Sequence, residues 1–257
     1  MRITVKSPRE MEIMRRAGLV VAKVLSLMRQ MVRPGVSTEE LDRAAADLIH
    51  GEGAEVAFKG YLGYPKNICV SVNEEVVHGI PSSRRLQEGD VVGVDVGARV
   101  DGYYGDAAVT LPVGQVDEET GRLIRDTRQA LLEGIAAVKP NARLRDVSRA
   151  IEAYARPKGY GIVENYVGHG IGKAMHEDPQ IPNYVPKNYP AGDLVLMPGM
   201  ALALEPMLNL GTAETEELGD GWTVVTKDRR RSAHFEHTVA VTADGHEVLT
   251  RIAGEAL

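Results

Sequence analysis

Four acidic side chains stand where apolar strands should run. Asp95 lies inside Asp90-Val91-Val92-Gly93-Val94-Asp95-Val96, Glu205 ends Met200-Ala201-Leu202-Ala203-Leu204-Glu205, and Glu236 precedes Thr238-Val239-Ala240-Val241. Asp106 opens a fourth strand, Ala107-Ala108-Val109-Thr110-Leu111, after the turn Asp101-Gly102-Tyr103-Tyr104-Gly105. Burying a carboxylate without a partner is costly, so strands rarely do it repeatedly. Either arginines and lysines pair with these acids, or hard metal ions do. The basic residues fall mostly on helical segments and in Lys227-Asp228-Arg229-Arg230-Arg231, outside the strands, which favours metal. His169, flanked by Gly168 and Gly170, adds an imidazole. Four carboxylates with one imidazole suit Mn, Fe, Co or Zn in a two-metal site better than a thiolate-rich structural zinc site.

Other chemistries fail on spacing. Gly168-His169-Gly170-Ile171-Gly172 is followed by Lys173, not by the last glycine of a dinucleotide loop. His176-Glu177 has Gln180 where a helical zinc protease needs its second histidine. There is no Gly-x-Ser-x-Gly and no phosphate-binding Gly-x-x-x-x-Gly-Lys. Cys69 is the single cysteine, and with no sign of a lowered pKa it reads as a small buried hydrophobe.

The elements that must position these residues are legible. Ser7-Pro8-Arg9-Glu10 is a capping box that opens a helix, followed at helical spacing by Met11, Met14, Ala17, Val21, Val24, Leu25 and Met28, and closed by Pro34-Gly35. Ser37-Thr38-Glu39-Glu40 caps a second helix carrying Leu41, Ala44, Ala45 and Leu48. The pattern returns with Leu123, Ile124, Leu131, Ile135 and Val138 before Pro140, then Val147, Ala150, Ile151 and Tyr154. Setting Pro34 on Pro140 brings Val32 onto Val138, Leu41 onto Val147, Arg43 onto Arg149 and Ala44 onto Ala150. Two helices with a proline between them, twice, suggest two halves built alike. Strand-rich sequence follows each pair, and Asp220-Gly221 before Trp222 is a hairpin signal. No linker or low-complexity tract interrupts the chain, so a single α+β domain spanning 1–257 is expected, with a pseudo-repeat of roughly 7–115 and 116–250.

Composition bounds the partners. The 257 residues carry 30 Lys+Arg against 36 Asp+Glu, a formal charge of −6, which disfavours nucleic-acid or anionic-membrane binding. One cysteine fits a reducing compartment. Neither a secretory signal nor a membrane span is visible, because Lys23 and Arg29 break the longest apolar stretch. A cytoplasmic location is the expectation.

The motifs together resemble the type 1 methionine aminopeptidases. The resemblance rests on Asn67-Ile68-Cys69-Val70-Ser71-Val72-Asn73-Glu74-Glu75-Val76-Val77-His78-Gly79-Ile80-Pro81, Asp95 with Asp106 eleven residues on, and Gly168-His169-Gly170-Ile171-Gly172. It continues through Met175-His176-Glu177-Asp178-Pro179, Glu205-Pro206-Met207, Gly221-Trp222-Thr223-Val224 and Phe235-Glu236-His237-Thr238, nearly the whole chain in order. It implies the pita-bread fold, an α+β architecture of two pseudo-symmetric halves of antiparallel sheet covered by helices. It also implies two divalent ions (Co, Mn, Fe or Zn) on Asp95, Asp106, His169, Glu205 and Glu236, with Asp106 and Glu236 bridging. His78 and His176 match histidines that contact substrate and help stabilise the reacting carbonyl. Phe58, Tyr61, Tyr64, Cys69, His78, Met175, His176 and Trp222 match the substrate pocket.

The implied reaction removes an N-terminal methionine from nascent chains whose second residue is small. A water activated by both ions attacks the first peptide carbonyl, with Glu205 the candidate proton shuttle. The resemblance further implies a monomer that meets nascent chains, with the ribosome docked, if at all, through the catalytic domain's surface. Two departures from the family's common pattern stand out: Gly97 stands where many members carry Thr or Ser, and Phe58 and Met175 occupy variable pocket positions. Asp95-Val96-Gly97-Ala98 leans toward an X-Pro peptidase of the same fold, but Met207 and the Trp222 segment fit the methionine enzymes better. The helical insert of the type 2 enzymes is missing, and intact ligand positions speak against a metal-free binding protein of this fold. Arg2 is bulky, so the chain is expected to keep its own Met1.

Overall fold

Both capping boxes form as the sequence predicts. In the computed structural model, which describes residues 2–189 and 194–254, helix α1 spans Pro8–Met31 and α2 spans Thr38–Gly51. Ser7 and Ser37 each accept from the backbone N–H three residues on, and Glu10 and Glu40 accept in return from the cap residue's N–H. The second helix pair is α3, Glu118–Ala137, capped by Asp117, and α4, Leu144–Ala155. The sequence stripe of α1 is buried throughout. On α2 the buried stripe runs instead through Leu41, Asp42, Ala45, Ala46 and Ile49, leaving Ala44 and Leu48 at its edge. Asp42 is drawn in because its carboxylate accepts from the Asn67 and Ile68 backbone N–H groups and from the Asn67 side chain.

Among the described residues, fifteen strands follow the helix pairs. Between α2 and α3 lie β1 (Glu55–Val56), β2 (Cys69–Val72), β3 (Glu75–Val77), β4 (Val91–Val100) and β5 (Tyr103–Pro112). After α4 come β6 (Gly161–Ile162), β7 (Gly168–Gly170), β8 (Glu177–Ile181), β9 (Ala201–Leu204) and β10 (Met207–Asn209). The last are β11 (Thr215–Glu217), β12 (Val224–Thr226), β13 (Ser232–His234), β14 (His237–Val241) and β15 (His246–Val248). All pair antiparallel. One sheet holds β1, β4, β2 and β5; a second runs β15-β14-β9-β7-β8; two three-stranded sheets, β13-β10-β6 and β11-β12-β3, complete the set. The β11–β12 hairpin turns at Asp220-Gly221, as the sequence signals.

One expectation is corrected. Tyr103, Tyr104 and Gly105 are strand, not turn, so Asp106 lies inside β5 and does not open it. The two-residue turn Asp101-Gly102 alone reverses the chain, with both residues at positive φ, and pairing begins at once with Val100 opposite Tyr103. The main apolar core joins α1 and α2 (Val24, Leu25, Leu41, Ile49) to β4 (Val92, Val94, Val96) and continues through Leu131, Ile151, Leu202 and Val239. Gly105 touches the backbone of α1: a Cβ there would meet the Gly18 nitrogen at 2.7 Å. The helix is therefore pressed directly on the back of the strand that carries Asp106. No helix of the described residues is long and apolar enough to cross a membrane.

Candidate metal centre

Register decides which acids meet. In the β4–β5 hairpin Asp95 is opposite Ala108 and Gly97 is opposite Asp106. Opposed residues share a face, and so do residues two apart, so Asp95 and Asp106 point to the same side. In the second sheet His169 on β7 and Thr238 on β14 both oppose Ala203 on β9. Carried past the strand ends, the same alternation puts Glu205 opposite Glu236 on the face of His169. The sheets are stitched together by Glu236 and Ala108, which exchange N–H···O bonds of 2.9 and 3.3 Å, and by the Thr238 hydroxyl, which bonds both backbone groups of Asp106. Five candidate ligands thereby line one cavity of about 190 Å³. Side-chain atoms of Asp106, His169 and Glu236 lie within 4.8 Å of one another, all three residues buried.

The donor set lacks cations. No lysine or arginine of the described residues pairs with Asp95, Asp106, Glu205 or Glu236; the basic run is engaged elsewhere, Lys227 with Glu214, Arg230 with Glu119 and Arg231 with Asp117. Asp95 Oδ1, Asp106 Oδ1 and Glu236 Oε1 are buried and accept no hydrogen bond. Burial raises the Asp95 pKa to about 7. Burial, followed by repulsion from Glu236 and Asp95, pushes Asp106 well above the carboxylate range; burial and neighbouring acids do the same to Glu205 and Glu236. His169 Nδ1 lies 2.9 Å from the Gly170 carbonyl, which can only accept, so the proton sits on Nδ1 and Nε2 presents a lone pair. That Nε2 faces Glu205 Oε1 at 3.5 Å, and desolvation holds the imidazole down at about 3. Unpaired oxygens and a bare imidazole nitrogen converging on one point fit divalent cations, and oxygen-rich ligation is what such hard ions prefer.

Around the centre lie Phe58, Tyr61, Tyr64, Cys69, His78, His176 and Trp222, all lining the cavity. His78 holds a positive φ of 61°, a conformation uncommon for a non-glycine residue, and burial lowers its pKa to about 4. His176 Nδ1 stands 2.8 Å from the Tyr61 hydroxyl, with its ring 4.3 Å from that of His169. Burial pushes the Cys69 thiol up, against a nucleophilic role. Met175 does not line the cavity: it is 1% exposed and packs behind the wall, its methyl against Gly97. A Cβ on Gly97 would meet Phe58 at 2.6 Å, Ala57 at 2.9 Å and Met175 at 2.9 Å, so those side chains fill the space a larger residue would take there.

Sequence reasoning missed His234, which lines the cavity with an unpartnered, buried Nε2 4.0 Å from Glu205 Oε2. The signal was present, because His234, Glu236 and Thr238 alternate at strand spacing on one face. Leu62, Val77, Tyr166 and Val167 complete the lining and carried no sequence signal.

Residues 12–243 match the Metallopeptidase family M24. The chain belongs to this family. Within it the chain stands among the methionine aminopeptidases. It is 47% identical to methionine aminopeptidase 1 of Bacillus subtilis over 97% of this chain and 100% of that protein. The crystal structure of methionine aminopeptidase from Thermotoga maritima superposes with a TM-score of 0.94 at 45% identity, over 98% of this chain and 100% of that one. Prolidase from Pyrococcus furiosus shares the fold, with a TM-score of 0.78 at 23% identity over 96% of this chain and 65% of that one. The fold is therefore the pita-bread fold, and the chain is a metallo-exopeptidase.

Proposed function

We propose that the chain removes the N-terminal methionine from peptides and nascent proteins whose second residue is small, using two divalent ions held by Asp95, Asp106, His169, Glu205 and Glu236. The observation that carries this reading is the gathering of unpartnered carboxylate oxygens and the His169 Nε2 in one cavity that Phe58, Tyr61, Tyr64, Tyr166 and Trp222 also line. Divalent ions bound there supply Lewis acidity and make water nucleophilic near neutral pH. Asp106 on β5 and Glu236, just before β14, would each offer two carboxylate oxygens to hold the ions. Glu205, which lines the same cavity with Oε1 3.5 Å from His169 Nε2, would take the proton of the attacking water and deliver it to the leaving amine.

With the Tyr61 hydroxyl, 2.8 Å from His176 Nδ1, as the donor of that bond, the His176 proton would sit on Nε2 and could donate to the oxygen of the reacting carbonyl. His78, neutral through burial, faces the edge of Trp222 at 6.3 Å and of Tyr166 at 5.7 Å and borders the substrate side chain. Tyr61, Tyr64, Phe58, Cys69 and Trp222 form the aromatic and thiol surface that takes an unbranched thioether, for which sulfur–aromatic contacts contribute about 0.3–1.5 kcal/mol each. Met175 shapes that surface from behind, through Phe58. Residues 1–257 act as one catalytic domain of two related halves, a cytoplasmic monomer.

The experiment is a comparison of substrates. Protein reloaded with Mn, Co or Fe is expected to release methionine from Met-Ala and Met-Gly peptides. Cleavage of X-Pro dipeptides with Met-Ala peptides untouched would overturn the reading in favour of the prolidase-like alternative.

A further inference from the structure

The segment before α1 lies across the outside of the loop that carries His176. The Arg2 backbone N–H donates to Asp178 Oδ2 at 2.7 Å, Ile3 forms a parallel bridge with Asp178, and the Lys6 N–H donates to the Gly199 carbonyl at 2.7 Å. Beneath this strap sits a buried ion pair. Lys6 Nζ lies 2.9 Å from Glu177 Oε2, with side chains only 5% and 10% exposed. The Thr4 hydroxyl donates to the same Glu177 oxygen and accepts from Lys6 Nζ at 2.6 Å. The other Glu177 oxygen accepts from the Ala174 N–H at 3.2 Å, inside the loop itself. Gly172 leaves no room for anything else, since a Cβ there would meet Lys6 Cε at 2.5 Å. A second tie, Lys173 to Glu10 at 3.8 Å, joins the loop to the first turn of α1.

A buried, well-bonded pair of opposite charges stabilises folds only weakly against an apolar alternative, yet it fixes geometry because neither charge tolerates losing its partner. Glu177 is the residue after His176. Its carboxylate is clamped on the outside while the His176 ring, adjacent in the chain, reaches inward to Tyr61. We infer that Lys6 is a positioning residue: through Thr4 and Glu177 it holds the 172–177 loop so that His176 meets the substrate carbonyl. This rests on the role proposed above for His176. Small misplacements of such a group are expensive in rate.

The test is a double-mutant cycle between Lys6→Met and His176→Ala, measured as kcat and KM on a Met-Ala peptide at saturating metal, with amide hydrogen exchange of residues 172–177. Lys6→Met alone is expected to lower kcat roughly ten- to a hundredfold with little change in KM, and to speed exchange in the loop. On the His176→Ala background it is expected to cost almost nothing more, because the group it positions is gone. An equal loss in both backgrounds, or no loss in either, overturns the inference while leaving the function intact. A His176→Ala chain as fast as the parent would instead strike the role of His176, and this inference with it. Should Lys6→Met not fold, Thr4→Val takes its place in the same cycle, removing the hydroxyl that joins the pair.

Discussion

Asp95, Asp106, His169, Glu205 and Glu236 owe their legibility to a conflict between residue type and setting: carboxylates in apolar strands, and a histidine between glycines. His234 escaped because it follows the basic run at 227–231 and looks like part of it until the alternation with Glu236 is counted. Met175 packs in the layer behind the cavity wall, a placement that residue type cannot distinguish from the wall itself. Glu205→Gln keeps shape and removes the proton carrier, so turnover should fall roughly a hundredfold or more. Near-normal kinetics in that variant would remove Glu205 from proton transfer. Gly97→Ala drives a Cβ into Phe58, Ala57 and Met175. It should destabilise by about 1–3 kcal/mol, read as a lower Tm, with Phe58→Leu on the same chain restoring part of the loss. An unchanged Tm would show that the Gly97 site has slack that the packing does not reveal.

At the level of elements, the helix pairs were readable because capping boxes and apolar periodicity agree, and each box forms as written. The limits of β5 were not, since Tyr103-Tyr104-Gly105 mixes turn and strand signals, and only pairing with β4 resolves it. Nor could sequence show that the two sheets meet at Ala108 and Glu236, a contact between segments far apart in the chain. The strand β7 offers a direct test of how tightly elements set the centre. A Cβ on Gly170 would strike the backbone carbonyl of Asp178, which cannot move without shifting β8. Gly170→Ala should therefore displace His169, lowering metal affinity in a calorimetric titration along with Tm. Full affinity in the variant would mean that His169 is held by β9 alone.

For the molecule as a whole, the charge of −6 first reads as a surface property, yet four of the acids converge on one interior site. The raised pKa values carry a definite sign. Above the unfolded carboxylate range the metal-free fold binds more protons than the unfolded chain, so these acids cost stability as pH rises, Asp95 through about 7. His169 and His234, held down at about 3, and His78, at about 4, act oppositely. Unfolded they bind protons first, so their contribution is complete above their ordinary pKa near 6.5 and lost as pH falls toward 3–4. Between about pH 6.5 and 8 only the carboxylates remain, and cations must displace their protons. The Tm gain on adding Mn should therefore grow from pH 6.5 to 8, and binding should release protons to the buffer. A gain that shrinks over that range would contradict the assignment of these acids to a cation site.

The most direct test of the central claim is a single titration of metal-stripped protein with a divalent ion, following ions bound per chain and methionine released from a Met-Ala peptide together. The expected result is two ions per chain, turnover that appears only as they bind, and loss of both in Asp106→Asn. Methionine release at full rate by the stripped chain, or ion binding that survives Asp106→Asn unchanged, would contradict it.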